Sequence, residues 1–184
     1  LPNQIAVMTV PALGGPERTL VKVDRNKIGD DDNGLSGISW VPDGTGLILS
    51  FRPSGQEQAQ IFLFSISSGN LKALTYPPEE TLGDYYGEIS PDGEKIAFFR
   101  RVSNTDYDLY VQFLSGEKPR RLIFENSESA GGIAWLPSSQ EMIFSAGPPW
   151  NARLWRIDLS ESKPHLIMGF GEKVARHFPA VSPK

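Results

Sequence analysis

One short segment recurs along this chain and limits what it can fold into. Ile38-Ser39-Trp40-Val41-Pro42-Asp43-Gly44 returns as Gly87-Glu88-Ile89-Ser90-Pro91-Asp92-Gly93 and again as Ile133-Ala134-Trp135-Leu136-Pro137-Ser138-Ser139. It opens once more as Pro179-Ala180-Val181-Ser182-Pro183. The aligned prolines at 42, 91, 137 and 183 stand 49, 46 and 46 residues apart. A period of this size means stacked supersecondary units, either small sheets or helical hairpins.

The residues between the prolines decide for sheets. Pro-Asp-Gly is a turn with a mechanism: proline pre-sets φ, aspartate bonds locally and glycine takes the left-handed position. Apolar runs follow each turn at Leu47–Phe51, Ile96–Phe99 and Met142–Phe144. Runs this short and continuous suit strands covered on both faces. A third strand is expected at Ile61–Ile66, Leu109–Leu114 and Leu154–Leu159. A fourth, more polar one is expected at Leu71–Leu74, Pro119–Leu122 and Pro164–Ile167, where alternation fits an outer edge facing water. Amphipathic runs of about 10–12 residues, which a helical repeat needs, find no room among the turns. The expected fold is an all-β propeller of four-stranded antiparallel blades. Its units cover 34–82, 83–130 and 131–175, with the second half of a unit in 1–33 and a first strand in 176–184. On this reading the chain is part of a larger propeller, or its open sheet edges pair with another copy.

Composition narrows the chemistry. The chain has 184 residues, enough to bury a core. Its 18 glycines and 15 prolines are scattered, which means many turns rather than one linker. A net charge of −4 argues against nucleic acid, whose binding needs a basic excess. The absence of cysteine removes disulfides, thiolate catalysis and cysteine-ligated zinc. Apolar runs fall far short of the roughly 20 residues that span a bilayer, so no membrane insertion is expected within these residues.

The central unit carries a family resemblance. Ser90-Pro91-Asp92-Gly93-Glu94-Lys95-Ile96-Ala97-Phe98, with Asp108-Leu109-Tyr110-Val111 and Pro119-Arg120-Arg121-Leu122, resembles the TolB-type, WD-repeat-like propeller repeat. The resemblance covers almost the whole chain. It implies a bacterial, extracytoplasmic binding or interaction domain, such as the sensory domain of a membrane-anchored transcriptional regulator. Similar repeats also occur in the gating propellers of prolyl-oligopeptidase-type peptidases and in glycan hydrolases or lyases, because one fold serves many functions. The fourth unit departs from the pattern at Ser138-Ser139, where a non-glycine residue must take a left-handed turn position at a cost on the order of 1 kcal/mol. It departs again at Gly147-Pro148-Pro149-Trp150, a stiff connection.

Catalytic patterns are missing. Gly34-Leu35-Ser36-Gly37-Ile38 lacks the Gly-x-Ser-x-Gly spacing of a nucleophile elbow. His165 falls on an outer strand and His177 in a loop. Asp30-Asp31-Asp32-Asn33-Gly34 opens like a calcium loop, but the twelfth position is Val41 rather than a carboxylate. No cofactor, metal site or catalytic residue is expected. Glu79, Glu80 and Asp84 share one inter-blade connection and Asp106 and Asp108 another, all read as solvent-facing. Trp40 and Trp135 hold the same place in successive units and are expected in the core.

The binding candidates are irregular positions at one end of the units, since loops on a rigid scaffold carry recognition. Tyr76, Asp84, Tyr85, Tyr86 and His177 enter first strands. Arg52, Arg101, Asp106, Tyr107, Trp150 and Arg153 lie where second strands pass to third. Tyrosine, tryptophan and arginine are the types enriched in binding hot spots. The ligand, protein or small molecule, is left open by the residues.

Overall fold

The computed structural model describes residues 4–24, 37–53, 55–122, 128–148, 151–161, 163–169 and 178–182. The acidic stretch 30–34, Trp150, His177 and Pro183 lie outside the described residues.

Three sheets of four strands follow one another, each a simple meander. The first holds β3 (Ile38–Trp40), β4 (Gly46–Phe51), β5 (Gln60–Ser65) and β6 (Leu71–Ala73). The second holds β7 (Gly83–Ile89), β8 (Lys95–Arg101), β9 (Tyr107–Phe113) and β10 (Arg120–Leu122). The third holds β11 (Ser129–Trp135), β12 (Glu141–Gly147), β13 (Arg153–Asp158) and β14 (His165–Gly169). A two-stranded sheet, β1 (Gln4–Thr9) and β2 (Arg18–Asp24), precedes them. Every neighbouring pair is antiparallel. The described residues contain no helix.

The three proline turns are bonded alike. Gly44, Gly93 and Ser139 each donate their N–H to the carbonyl three residues back, and Val41, Ser90 and Leu136 each donate across the hairpin. Ser139 takes the left-handed position expected of it, with φ +56°. Its hydroxyl accepts the Asp92 N–H at 3.0 Å from the neighbouring turn. Glycine could relieve the backbone there but could not make that bond.

Period-two alternation explains the continuous apolar strands. Along β4, Leu47, Leu49 and Phe51 meet Val7 and Val23 of the preceding sheet. Ile48, between them, meets Ile89, Ile96 and Phe98 of the following one. Along β8, Ile96 and Phe98 point back, while Ala97 and Phe99 point forward to Ile133, Met142 and Phe144. Both β4 and β8 are thus sandwiched and nearly dry, so both their faces must be apolar. The outer edges are blunted by Lys72, Arg120 and Arg121.

Two expectations need correction. Trp40 is 51% exposed whereas its counterpart Trp135 is 5% exposed. Trp135 lies against β7, and its indole Nε1 donates to the Glu88 carbonyl at 2.9 Å. Among the described residues, the sheet before Trp40 consists of β1 and β2, at the places expected of third and fourth strands, so no first strand covers the indole. Equivalent sequence position gives burial only where an equivalent neighbour stands behind it. The second correction concerns Asp84, Tyr85 and Tyr86, which lie within β7 rather than in a connecting loop. The ladder from Gly83 to Ile89 continues across a bulge between Tyr85 and Glu88.

Candidate functional site

The first strands β3, β7 and β11, with residues 178–181, surround a cavity of about 630 Å³. At one end of it, four matched positions lie five residues before the aligned prolines: Gly37, Tyr86, Gly132 and Phe178. Small and large alternate for a packing reason. A Cβ on Gly37 would come within 3.3 Å of the Tyr86 Cα, and one on Gly132 within 3.0 Å of the Phe178 Cα. The two aromatic rings meet edge to face, centroids 5.9 Å apart. Tyr86 adopts φ +56°, a left-handed conformation for a residue with a bulky side chain, at the β7 bulge. Such strain persists only where surrounding contacts hold it, and it concentrates at functional positions.

From Tyr86 the aromatic contacts continue outward. Its ring lies 6.4 Å from Tyr85, and Tyr85 lies 6.4 Å from Tyr107 in an edge arrangement. The Arg101 guanidinium sits over the Tyr107 ring at 5.6 Å. Its Nε and Nη2 donate to the carbonyls of Ser103 and Asn104. Burial pushes the Tyr85 hydroxyl above its ordinary value, opposed by the positive charge of Arg101 and more weakly by Arg52. The Tyr85 hydroxyl donates to the Leu82 carbonyl at 3.2 Å. Arg52, Tyr85, Tyr86, Arg101 and Tyr107 therefore come together at one end of the sheets, from two successive units.

The other candidates fall elsewhere. Tyr76 is strongly exposed on the connection after β6, outside these contacts. Arg153 opens β13 at the corresponding end of the next sheet. Asp106 closes its own loop, accepting from the Ser103 hydroxyl at 2.7 Å. Asp108 is buried and accepts from Arg121 at 2.8 Å.

Asp84 is the largest departure from the solvent-facing reading, being fully buried. It accepts two bonds from Arg100, at 2.7 Å from Nε and 2.9 Å from Nη2. Arg100 also covers the Tyr110 ring at 4.8 Å. Burial pushes the Asp84 carboxyl up, and Arg100 and Thr75 draw it back. Its backbone N–H donates to Ala59 in the preceding unit, so the residue ties two units together. Arg100 was legible: it aligns with Phe51 and Ala146, a charge in an apolar slot.

Glu88 is the second residue that the sequence reading passed over. It aligns with Ser39 and Ala134, and it lines the cavity. Burial pushes its carboxyl up to about 7 against a smaller opposing pull from the Ser39 hydroxyl. It is the one carboxylate among the described residues that line the cavity. Among the described residues, no group of three or more histidine, aspartate or glutamate side chains could hold a metal ion. No helix there is long and apolar enough to cross a membrane.

Comparison with known proteins places the fold. No family model matches the chain, and no curated protein matches it. Among solved structures, TolB from Acinetobacter baumannii superposes over 99% of this chain and 44% of its own, with TM-score 0.67 and 19% identity. The β-propeller domain of the Trilobed protease from Pyrococcus furiosus covers 76% of this chain and 42% of its own, with TM-score 0.51 and 18% identity. An oligogalacturonate lyase from Vibrio parahaemolyticus covers 91% and 47%, with TM-score 0.54 and 16% identity. The chain spans less than half the length of each, and at these identities the likeness is one of fold. Meandering four-stranded sheets, first strands around a shared cavity and these neighbours together make the chain an all-β run of β-propeller blades.

Proposed function

We propose that this propeller is a non-catalytic binding scaffold that recognises a protein partner through the end carrying Arg52, Tyr85, Tyr86, Arg101 and Tyr107. The observation that supports the reading is the convergence of these side chains from two units, with ring centroids 6.4 Å apart along Tyr86, Tyr85 and Tyr107. Rigid aromatic rings and arginines supply contact area at low entropic cost and dominate interface energetics. Strand termini hold them more firmly than loops would. The resemblance of the repeat to TolB-type sequences supports placing the domain outside the cytoplasm of a bacterium, within a larger protein such as a membrane-anchored regulator. A catalytic role has less support: the cavity lining described holds one carboxylate, and acid–base hydrolysis of a glycan uses two.

The test is site-specific photo-crosslinking in the native host, with the reactive side chain at Tyr107 and, as control, at Phe113 on the same strand. The reading expects one protein species to be captured from position 107 and lost when Tyr85 and Arg101 are replaced by alanine. Equal capture from both positions, or capture unaffected by the two replacements, overturns it.

A further inference from the structure

The cavity shares Tyr86 with the Arg–Tyr end but has a chemical character of its own. Its walls are aromatic and aliphatic: Trp40, half exposed on β3; Tyr86 and Phe178 at one end; Trp135 on β11. Into this lining the sequence places one ionisable carboxyl, Glu88, where the matched positions carry Ser39 and Ala134. The backbone around Glu88 is already committed between units, since the Gly87 carbonyl accepts from the Ser39 hydroxyl at 3.0 Å and the Glu88 carbonyl from the Trp135 indole at 2.9 Å. No structural ion pair is formed there: among the described residues, no lysine, arginine or histidine lines the cavity.

We propose that the cavity is a binding site for a small organic ammonium ion, with Glu88 as its counter-charge and Trp40, Tyr86 and Phe178 as the aromatic walls. An aromatic face attracts a cation through its quadrupole, most strongly for tryptophan and in a partly dry site. A carboxylate in an apolar lining is costly to ionise alone, and a bound cation removes that cost. Neutral or anionic ligands gain nothing from this combination. The cavity's 630 Å³ falls in the range of small-molecule sites rather than of protein grooves. The ligand class is therefore an alkylammonium, primary or quaternary, of a few carbon atoms.

Binding must couple to protonation. The elements packed round Glu88 face it with Ser39 from β3, Ala97 from β8, Trp135 from β11 and Phe178, with Tyr86 on its own strand. Tyr86 is the other titratable group in the lining described, and Glu88 is its one carboxyl. The cation prefers the carboxylate, so affinity rises with pH through about 7.

The experiment is calorimetric titration of the full chain with choline and, separately, with 3,3-dimethylbutan-1-ol, its uncharged isostere, while the Trp40 indole resonance is followed by NMR. The proposal expects saturable choline binding that moves the Trp40 signal and is about tenfold weaker at pH 6 than at pH 8. The alcohol should bind at least about tenfold more weakly than choline at pH 8. Glu88→Gln, which keeps the side-chain shape, should abolish both the preference and the pH dependence. Equal affinity for the alcohol, no saturable choline binding, or choline affinity retained in Glu88→Gln would each overturn the proposal. The isostere comparison on the unmodified protein needs no variant to fold.

Discussion

The β7–β8 and β11–β12 hairpins share one backbone plan and differ in what it holds. Both close through the same proline turn, and both carry a bulge in the same stretch of the first strand, one residue out of step: between Tyr85 and Glu88 in one and between Ala130 and Ile133 in the other. At the ladder position where β7–β8 pairs Asp84 with Arg100, β11–β12 pairs Ala130 with Ala146. Where one has Tyr86 the other has Gly132, and Glu88 is matched by Ala134. The second hairpin shows that the blade needs only small residues at these points. Charge and aromatic area in the first are additions to a scaffold that stands without them, which is why the candidate sites gather on β7–β8.

The largest expected effect comes from half-converting one hairpin into the other. Asp84→Ala leaves the Arg100 guanidinium buried without its carboxylate and should cost about 4–5 kcal/mol in urea unfolding. Replacing both partners together, Asp84→Leu with Arg100→Phe, copies the Leu35 and Phe51 that align with them. That double variant should unfold within about 1 kcal/mol of the parent, because paired apolar groups of similar size replace a buried ion pair at little net cost. A double variant as unstable as the single one would mean the position needs charge, and the comparison between hairpins would fail.

Next in size is the tryptophan pair. Trp135→Ala should cost about 3–4 kcal/mol, since it empties a packed site between two sheets. Trp40→Ala should cost under about 1 kcal/mol, since half the side chain is already in water. Equal losses would show that Trp40 is covered in solution.

The third effect is a pH dependence, and it stabilises. Folding raises the Glu88 carboxyl from an ordinary 4.5 to about 7, so the folded chain holds that proton more tightly than the unfolded one. The resulting stabilisation is complete below about pH 4.5 and is lost as pH rises through about 7. Glu88→Gln should therefore match the parent near pH 4.5 and exceed it at pH 8 by on the order of 2 kcal/mol. Thermal unfolding at the two pH values reads the difference directly. A variant less stable than the parent at pH 8 would place Glu88 in a favourable ionised contact instead.

Much of the architecture was readable because turn chemistry is local. Pro-Asp-Gly dictates its own backbone, and even Ser138-Ser139 keeps the turn through the left-handed φ of Ser139. The apolar runs of β4 and β8 were readable because those two strands are dry on both faces. Covering was not, since it belongs to pairs of units: Trp40 and Trp135 look alike in sequence and differ in what lies behind them. The Arg–Tyr convergence followed from placing strand ends on one face, and five of the nine candidates among the described residues meet there. Asp84 was misread because its partner, Arg100, sits in an apolar slot of the next strand, where a column-by-column comparison with Phe51 and Ala146 would have exposed it. The same comparison finds Glu88 against Ser39 and Ala134, and Phe178 against Gly37 and Gly132.

The arrangement of sheets face to face round one cavity rests most directly on the bond from the Trp135 indole to the Glu88 carbonyl, which crosses from one sheet to the next. Hydrogen exchange of the indole N–H groups, resolved by NMR, reads it without any substitution. The Trp135 proton should exchange as slowly as the central-strand amides of β8 and β12, while that of Trp40 exchanges at nearly the rate of a free indole. Fast exchange at Trp135, with the strand amides still protected, would mean that the sheets form but do not stand against one another as described.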